Sequence, residues 1–329
     1  MGRRVLITGV GSFLGTELAR RLETDPEFDF VAGVDDRAPR ARLERTEFVE
    51  ADIRSPIISR IVPQLGVDTI VHNKIVRRPG PTLSARAAHD INVIGTLQLL
   101  TACEKADTLS SIVIRGSAGI YGSEPAAPQF FTEDMSRLYP LRTRFQRDVA
   151  EIENYFETFS RRHPAITCTM LRFEPAIGPT LDTQITRYLS LPIVPTYFGF
   201  DPRLQFVHEV DAIEATVAAI KRPVRGAVNV AGAGTVGLTK LVRAAGKLTL
   251  PIVSPLFGGV SAVAKRLGLL DFSDDFVRLL HYGRAVDITR LTEEVGFTPA
   301  YSTPDAVEDY VRTLGGRRLA PPLRQVVSL

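Results

Sequence analysis

Arg4-Val5-Leu6-Ile7-Thr8-Gly9-Val10-Gly11-Ser12-Phe13-Leu14-Gly15 is the stretch that decides the fold. Val5 to Ile7 read as a buried apolar strand, and Phe13 to Leu22 carry the spacing of a helix. The glycines between them let the backbone approach a pyrophosphate. Its charge then rests on the free N–H groups at the helix start. Gly9, Gly11, Ser12, Phe13, Leu14 and Gly15 are therefore the expected dinucleotide grip, with Ser12 where a central glycine is often found. A second apolar run, Phe30 to Val34, ends in Asp35, twenty residues after Gly15. A carboxylate there accepts the adenosine ribose hydroxyls and repels a 2′-phosphate, which favours NAD over NADP. Arg37, Arg40, Arg42 and Arg45 follow. They read first as a solvated basic loop, and second as a host for a phosphate.

Composition narrows the function classes. The chain has 329 residues, with 40 Lys+Arg against 37 Asp+Glu and a net charge of +3. That length buries a large core, and no basic run is long enough to argue for nucleic acid. Cys103 and Cys168 lack metal-ligand spacing, so they read as buried thiols in a reducing, cytoplasmic compartment, with no metal site. No signal peptide is expected, because the first strand starts almost at Met1, and no transmembrane segment, because no uncharged run is long and unbroken enough to span. The longest uncharged run, 248–264, is broken by two prolines and two glycines. It reads as core and loop, with a hydrophobic lid as the alternative.

Strand and helix patterns then alternate. Strands are expected at 4–8, 29–34, 46–50, 68–72, 110–115 and 165–172, and helices at 13–23, 56–64, 83–105 and 139–162. This predicts an α/β fold: a Rossmann-type doubly wound parallel sheet with a smaller C-terminal substrate lobe. The expected division is 1–173 for the dinucleotide domain, with later strands able to rejoin its sheet. Residues 174–315 are then mainly the substrate lobe, and 316–329 a flexible tail.

Several short motifs follow the strands in order. They are Ala51-Asp52-Ile53-Arg54, Asp68-Thr69-Ile70-Val71-His72, Asn92-Val93-Ile94-Gly95-Thr96, Ser117-Ala118-Gly119-Ile120-Tyr121-Gly122, Leu171-Arg172, Gly178-Pro179 and Phe206-Val207-His208. This series, over roughly residues 3 to 312, resembles the extended short-chain dehydrogenase/reductase family. Its layout is similar to the NAD-dependent epimerase/dehydratase branch that includes UDP-glucose 4-epimerase. The resemblance implies that Gly9, Gly11, Ser12, Phe13 and Leu14 touch the pyrophosphate and that Asp35 holds the ribose. It also implies that Asp52 and Ile53 flank the adenine, that Asn92 lies on the cofactor side, and that Ser117 bonds a substrate hydroxyl or carbonyl. Structural alternatives stand beside these roles: Asp52 as a helix cap, Asn92 as a bracing group, Ser117 as a loop hydroxyl. A homodimer through the two long helices is a further implication, since relatives often pair there.

One departure changes the expected chemistry. The family uses a Tyr-x-x-x-Lys pair, whose members share a helix face because they stand at i and i+4. Alignment from Pro140 and Glu153 puts Phe145 and Val149 at those positions. None of the eight tyrosines has lysine four residues on, so no shift restores the pair. Loss of a positioned acid/base group costs about 10²–10⁴-fold in rate. Lys74, at the end of the fourth strand, and Tyr121 are the expected replacements beside Ser117, with Tyr139, Arg144 and Arg147 as weaker ones. The stretch His72-Asn73-Lys74-Ile75 and the residues Pro175 and Leu204 also depart from the family pattern. Two function classes remain open. One is an NAD-dependent epimerase, dehydratase or reductase acting on a nucleotide-sugar or related small molecule with a rebuilt acid/base group. The other is a catalytically silent dinucleotide sensor or partner protein.

Overall fold

Val5 and Ile7 alternate with Leu6 along one strand, and all three are apolar, so that strand needs cover on both faces. The computed structural model, which describes residues 2–77, 83–136, 138–253 and 272–316, has this arrangement. Strands β1 (Arg3–Thr8), β2 (Phe28–Asp35), β3 (Glu47–Glu50), β4 (Thr69–His72), β5 (Ser111–Ser117) and β6 (Thr167–Phe173) join strand Gly226–Val230 in one seven-stranded sheet. The order is β3-β2-β1-β4-β5-β6-(226–230), and every pair is parallel. The strand order therefore reverses between β1 and β4, and the crevice at their carboxyl ends is where such sheets bind ligands.

Helix α1 (Phe13–Glu23) and helix Glu209–Lys221 cover one face, packing Leu14, Leu18, Ala215 and Ala219 on Val5, Ile7 and Val71. Helices α2 (Ile58–Gln64), α3 (Ala85–His89), α4 (Gly95–Cys103) and α5 (Arg144–Arg162) lie in sequence on the way to β6. Of these, α2, α4 and α5 pack Ile58, Leu99, Ile152 and Phe156 on Leu6, Ile70 and Ile112 at the other face. His72 ties the layers together through Thr8 Oγ1 at 2.7 Å and Thr96 Oγ1 at 2.9 Å. Complete burial holds its imidazole down to about 3, so it stays neutral. Among the described residues no helix is long and apolar enough to cross a membrane.

Two expected helices differ in form. The single helix expected over 83–105 is instead α3, a π-helical turn Asp90–Ile94, and α4. The widened turn carries Asn92, and a Cβ on the following Gly95 would lie 2.6 Å from Ile53 Cγ2. Helix α5 starts at Arg144 rather than 139, because Thr143 and Gln146 form a reciprocal capping box.

The second half of the chain is not confined to a lobe. Gly226–Val230 completes the sheet, and Leu291 and Val295 enter its core. A separate apolar core, with Tyr188, Phe206, Leu241 and Phe276, forms the lobe proper. The lobe is pinned to the end of β6 by a pair with no exposed side-chain surface, Arg284 Nε to Glu174 Oε1 at 2.8 Å and Nη2 to Oε2 at 3.0 Å. The expected lid over 248–264 and tail over 316–329 fall outside the described residues beyond Val253 and Gly316. Breaking one side of so buried a pair leaves an unpaired charge, so Arg284→Met should cost about 3–5 kcal/mol in urea unfolding. Adding Glu174→Gln to it should recover part of that loss.

Candidate functional site

Ser12 starts α1 by accepting the Gly15 N–H at 3.0 Å while donating to the Gly9 carbonyl at 2.8 Å. That leaves the first-turn N–H groups of Phe13 and Leu14, which have no acceptor within the helix, for an anion. The turn is too tight for side chains. Gly9 has φ +75°, and a Cβ on Gly15 would lie 2.1 Å from the Gly9 carbonyl oxygen. This cradle fits the pyrophosphate of a dinucleotide.

Asp35 ends β2 beside the cradle, its side chain 2 % exposed. Its Oδ2 accepts the Gly11 N–H at 2.9 Å, and its Oδ1 accepts the Arg37 N–H at 3.2 Å. Lys74 reaches across from the end of β4, placing Nζ on Asp35 Oδ1 and, at 2.5 Å, on Asp36 Oδ1. Burial and the neighbouring Asp36 push the Asp35 carboxyl up, while its hydrogen bond with Asp35 pulls Asp36 down to about 2. Asp52 is held by the Arg54 guanidinium through Nε at 3.0 Å, and Ile53 is buried under Gly95. Asn92 braces the loop after β4, accepting the Val76 N–H at 2.7 Å and donating to the Val76 carbonyl at 2.9 Å.

The other end of the crevice is built around Ser117, the last residue of β5. Ser117 Oγ accepts from Arg77 Nη2 at 2.7 Å and from the Gly119 N–H at 3.1 Å. The Arg77 guanidinium carbon lies 5.5 Å from the centre of the Phe145 ring. A Cβ built on Gly119 would lie 3.1 Å from Ser117 Oγ, 3.4 Å from Asp275 Oδ2 and 3.5 Å from Phe145 Cε1. A hydroxyl, a carboxylate and an aromatic edge thus converge on one point. Asp275 comes from the lobe, near the start of helix Asp274–Tyr282, and is 7 % exposed. Burial lowers the Arg77 pKa, and the charge of Asp275 opposes that effect.

The sequence pattern of the NAD dependent epimerase/dehydratase family matches residues 5–231. The chain belongs to this family. An uncharacterised Mycobacterium tuberculosis protein is 37% identical over 323 residues, spanning 96% of this chain and 85% of its own length. A UDP-glucose 4-epimerase of Mycolicibacterium smegmatis is 30% identical over 145 residues, 40% of this chain and 44% of its own. Among solved structures, the Methanobrevibacter ruminantium UDP-N-acetylglucosamine 4-epimerase, in complex with UDP-N-acetylmuramic acid, superposes with a TM-score of 0.74 at 15% identity, covering 96% of this chain and 99% of that one. The Bacillus anthracis dTDP-glucose 4,6-dehydratase in complex with NAD gives 0.71 at 16% identity, covering 96% and 97%. At these identities the structural likeness speaks for the fold.

Within this epimerase/dehydratase frame, the structure separates the expected site residues. The cradle residues Gly9 to Gly15 and Asp35 share one end of the crevice, and Ser117 stands at the other. Lys74, expected near Ser117, sits instead on Asp35 and Asp36, because the end of β2 holds two carboxylates within reach of its ammonium across the crevice. Tyr121, the other expected replacement, is turned into the interior. Its hydroxyl donates to Asn229 Oδ1 at 2.6 Å and accepts from Arg172 Nη1 at 2.9 Å. Burial raises its pKa to about 12, so it is poorly suited to relay a proton. Tyr139 donates to the Ala126 carbonyl at 2.6 Å. Val149 packs in an apolar cluster with Tyr121 and Phe131. Arg77 and Asp275 were not visible as site residues in the sequence. Arg77 lies past the end of the β4 motif, and Asp275 reads as an ordinary acid in a first helical turn after the Ser273 cap.

Removing the Tyr121 hydroxyl orphans the Asn229 carbonyl and one Arg172 donor. Tyr121→Phe should therefore lower unfolding stability by about 1–3 kcal/mol. Calorimetric affinity for NAD should stay at the wild-type value, which a role for Tyr121 at the cofactor would not allow.

Proposed function

We propose that this family member is an NAD-dependent epimerase- or dehydratase-like enzyme. Its substrate class is a nucleotide-sugar or a related small molecule with a hydroxyl that becomes a carbonyl. Asp275 serves as the acid/base group in place of the missing tyrosine, and Arg77 supplies the charge of the missing lysine. The observation that carries this reading is the convergence of Ser117 Oγ and Asp275 Oδ2 on Gly119, with Arg77 bonded to Ser117.

NAD, when bound, supplies a reversible hydride acceptor. The residues of the chain do the rest. The α1 cradle holds the pyrophosphate, and Asp35 faces the adenosine ribose. Ser117 orients the substrate oxygen through a hydrogen bond. Asp275 takes the proton from that hydroxyl as the carbonyl forms, and returns it when the carbonyl is reduced again. The Arg77 guanidinium offsets the negative charge that builds on the oxygen, in a buried setting where a fixed charge acts strongly. Nucleotide-sugar names among the structural neighbours support the substrate class. A homodimer in the cytoplasm is part of the reading; the pairing is supported by the exposed Ile94 and Leu97, 41 % and 40 % accessible on either side of the start of α4.

A second reading, a catalytically silent dinucleotide sensor, draws on one observation: Val149 is packed among apolar side chains where the family lysine is expected. Turnover of a panel of UDP- and dTDP-hexoses with NAD separates the two. The enzyme reading expects at least one sugar to be converted, and Asp275→Asn to lower that rate by about 10²–10⁴-fold. NAD affinity measured by calorimetry should be kept in the variant. Full activity in Asp275→Asn removes Asp275 from the mechanism. Tight NAD binding with no sugar converted favours the sensor.

A further inference from the structure

Asp35 is the residue on which the sequence-based preference for NAD rests. That preference assumes a free carboxylate, able to accept two ribose hydroxyls and to repel a phosphate. In the structure the carboxylate is neither free nor alone. A carboxylate offers about four lone-pair sites. On Asp35, Gly11 N–H takes one, and Arg37 N–H and the Lys74 ammonium take two more. Lys74 also bonds Asp36, and its side chain is only 17 % exposed. It comes from the far side of the switch point, from the loop after β4 that Asn92 braces through Val76.

We propose that Lys74 sets the cofactor selectivity of the site: by offsetting one of the two charges of the Asp35–Asp36 pair and standing over both, it lets the adenosine pocket take a 2′-phosphorylated dinucleotide, NADP, alongside NAD. This rests on the dinucleotide part of the reading above and not on the reaction. The surrounding charges point the same way. The Arg37 backbone is bonded to Asp35, and its positive charge is felt by both Asp36 and Arg40. A phosphate on the ribose 2′-oxygen would therefore meet Lys74 and Arg37 where an unshielded acid pair would repel it. Lys74 already bonds two acceptors, so it can turn to a phosphate while keeping one carboxylate.

The readout is the ratio of the dissociation constants for NADP and NAD, measured by calorimetry on the full chain. Any contact of Lys74 with the pyrophosphate is common to both dinucleotides and cancels in that ratio. The wild type should bind the two within about tenfold of each other. A unit charge about 4 Å from a dianionic group alters its binding by about ten- to a hundredfold even at the dielectric of bulk water. Lys74→Met should therefore raise the ratio at least about tenfold. Asp36→Asn should move it the opposite way, and keeps the test open if Lys74→Met fails to fold. A wild type that rejects NADP by more than about a hundredfold overturns the proposal. So does a ratio that Lys74→Met leaves unchanged. If the wild type binds neither dinucleotide, the dinucleotide reading itself falls, which is a separate result from a failure of selectivity alone.

Discussion

Three backbone segments meet at the switch point with no room for a side chain between them. A Cβ on Gly9 would lie 2.8 Å from the Lys74 nitrogen, one on Gly11 2.5 Å from the Arg37 carbonyl, and one on Gly15 2.1 Å from the Gly9 carbonyl. The close approach fixes where α1 begins, and so where its free N–H groups lie. It also sets the distance across the crevice, because β2 delivers Asp35 and β4 delivers Lys74 to opposite sides of the same turn. The charge arrangement at the Asp35 end of the crevice follows from that contact.

The loop after β4 then distributes charge along the whole crevice. Asn73 Nδ2 donates to Ser12 Oγ at 3.0 Å, Lys74 serves the Asp35 end, and Arg77 serves Ser117. Asn92, on its π-helical turn, holds the middle of this loop at Val76. A widened turn in a helix is commonly found at functional positions, and here it carries a bracing side chain rather than a ligand-facing one. At the far end, the buried Arg284–Glu174 pair anchors the lobe that carries Asp275 against the end of β6. The loop and the lobe each contribute one ionisable group, Arg77 and Asp275, to the region around Ser117.

Much of the fold was legible because burial on both faces forces strands into continuous apolar runs, and because glycine turns and caps are local. The strand, turn and helix start over residues 4–15 and the end of β2 at Asp35 were readable for that reason. The start of α5 is equally local, since the Thr143 and Gln146 capping box sets it at Arg144, several residues after the 139 that apolar spacing suggests. The roles of Lys74 and Tyr121 were of another kind. Their side chains choose among partners far away in sequence, Asp35 and Asp36 for one, Asn229 and Arg172 for the other. Nothing near either residue in the chain carries that information.

The alternation of strands and helices along the chain, the strand–glycine turn–helix at residues 4–15 and the absence of any Tyr-x-x-x-Lys pair are determined by the sequence alone, since each depends on neighbours a few residues apart. Only the tertiary structure decides which charges face one another. It sets Lys74 on Asp35, Arg77 on Ser117, and Asp275 beside Gly119. The reason is physical. A backbone pattern is written in local sterics and apolar spacing, whereas the partner of a long charged side chain is selected by distance across a crevice that exists only after the sheet has closed around its switch point.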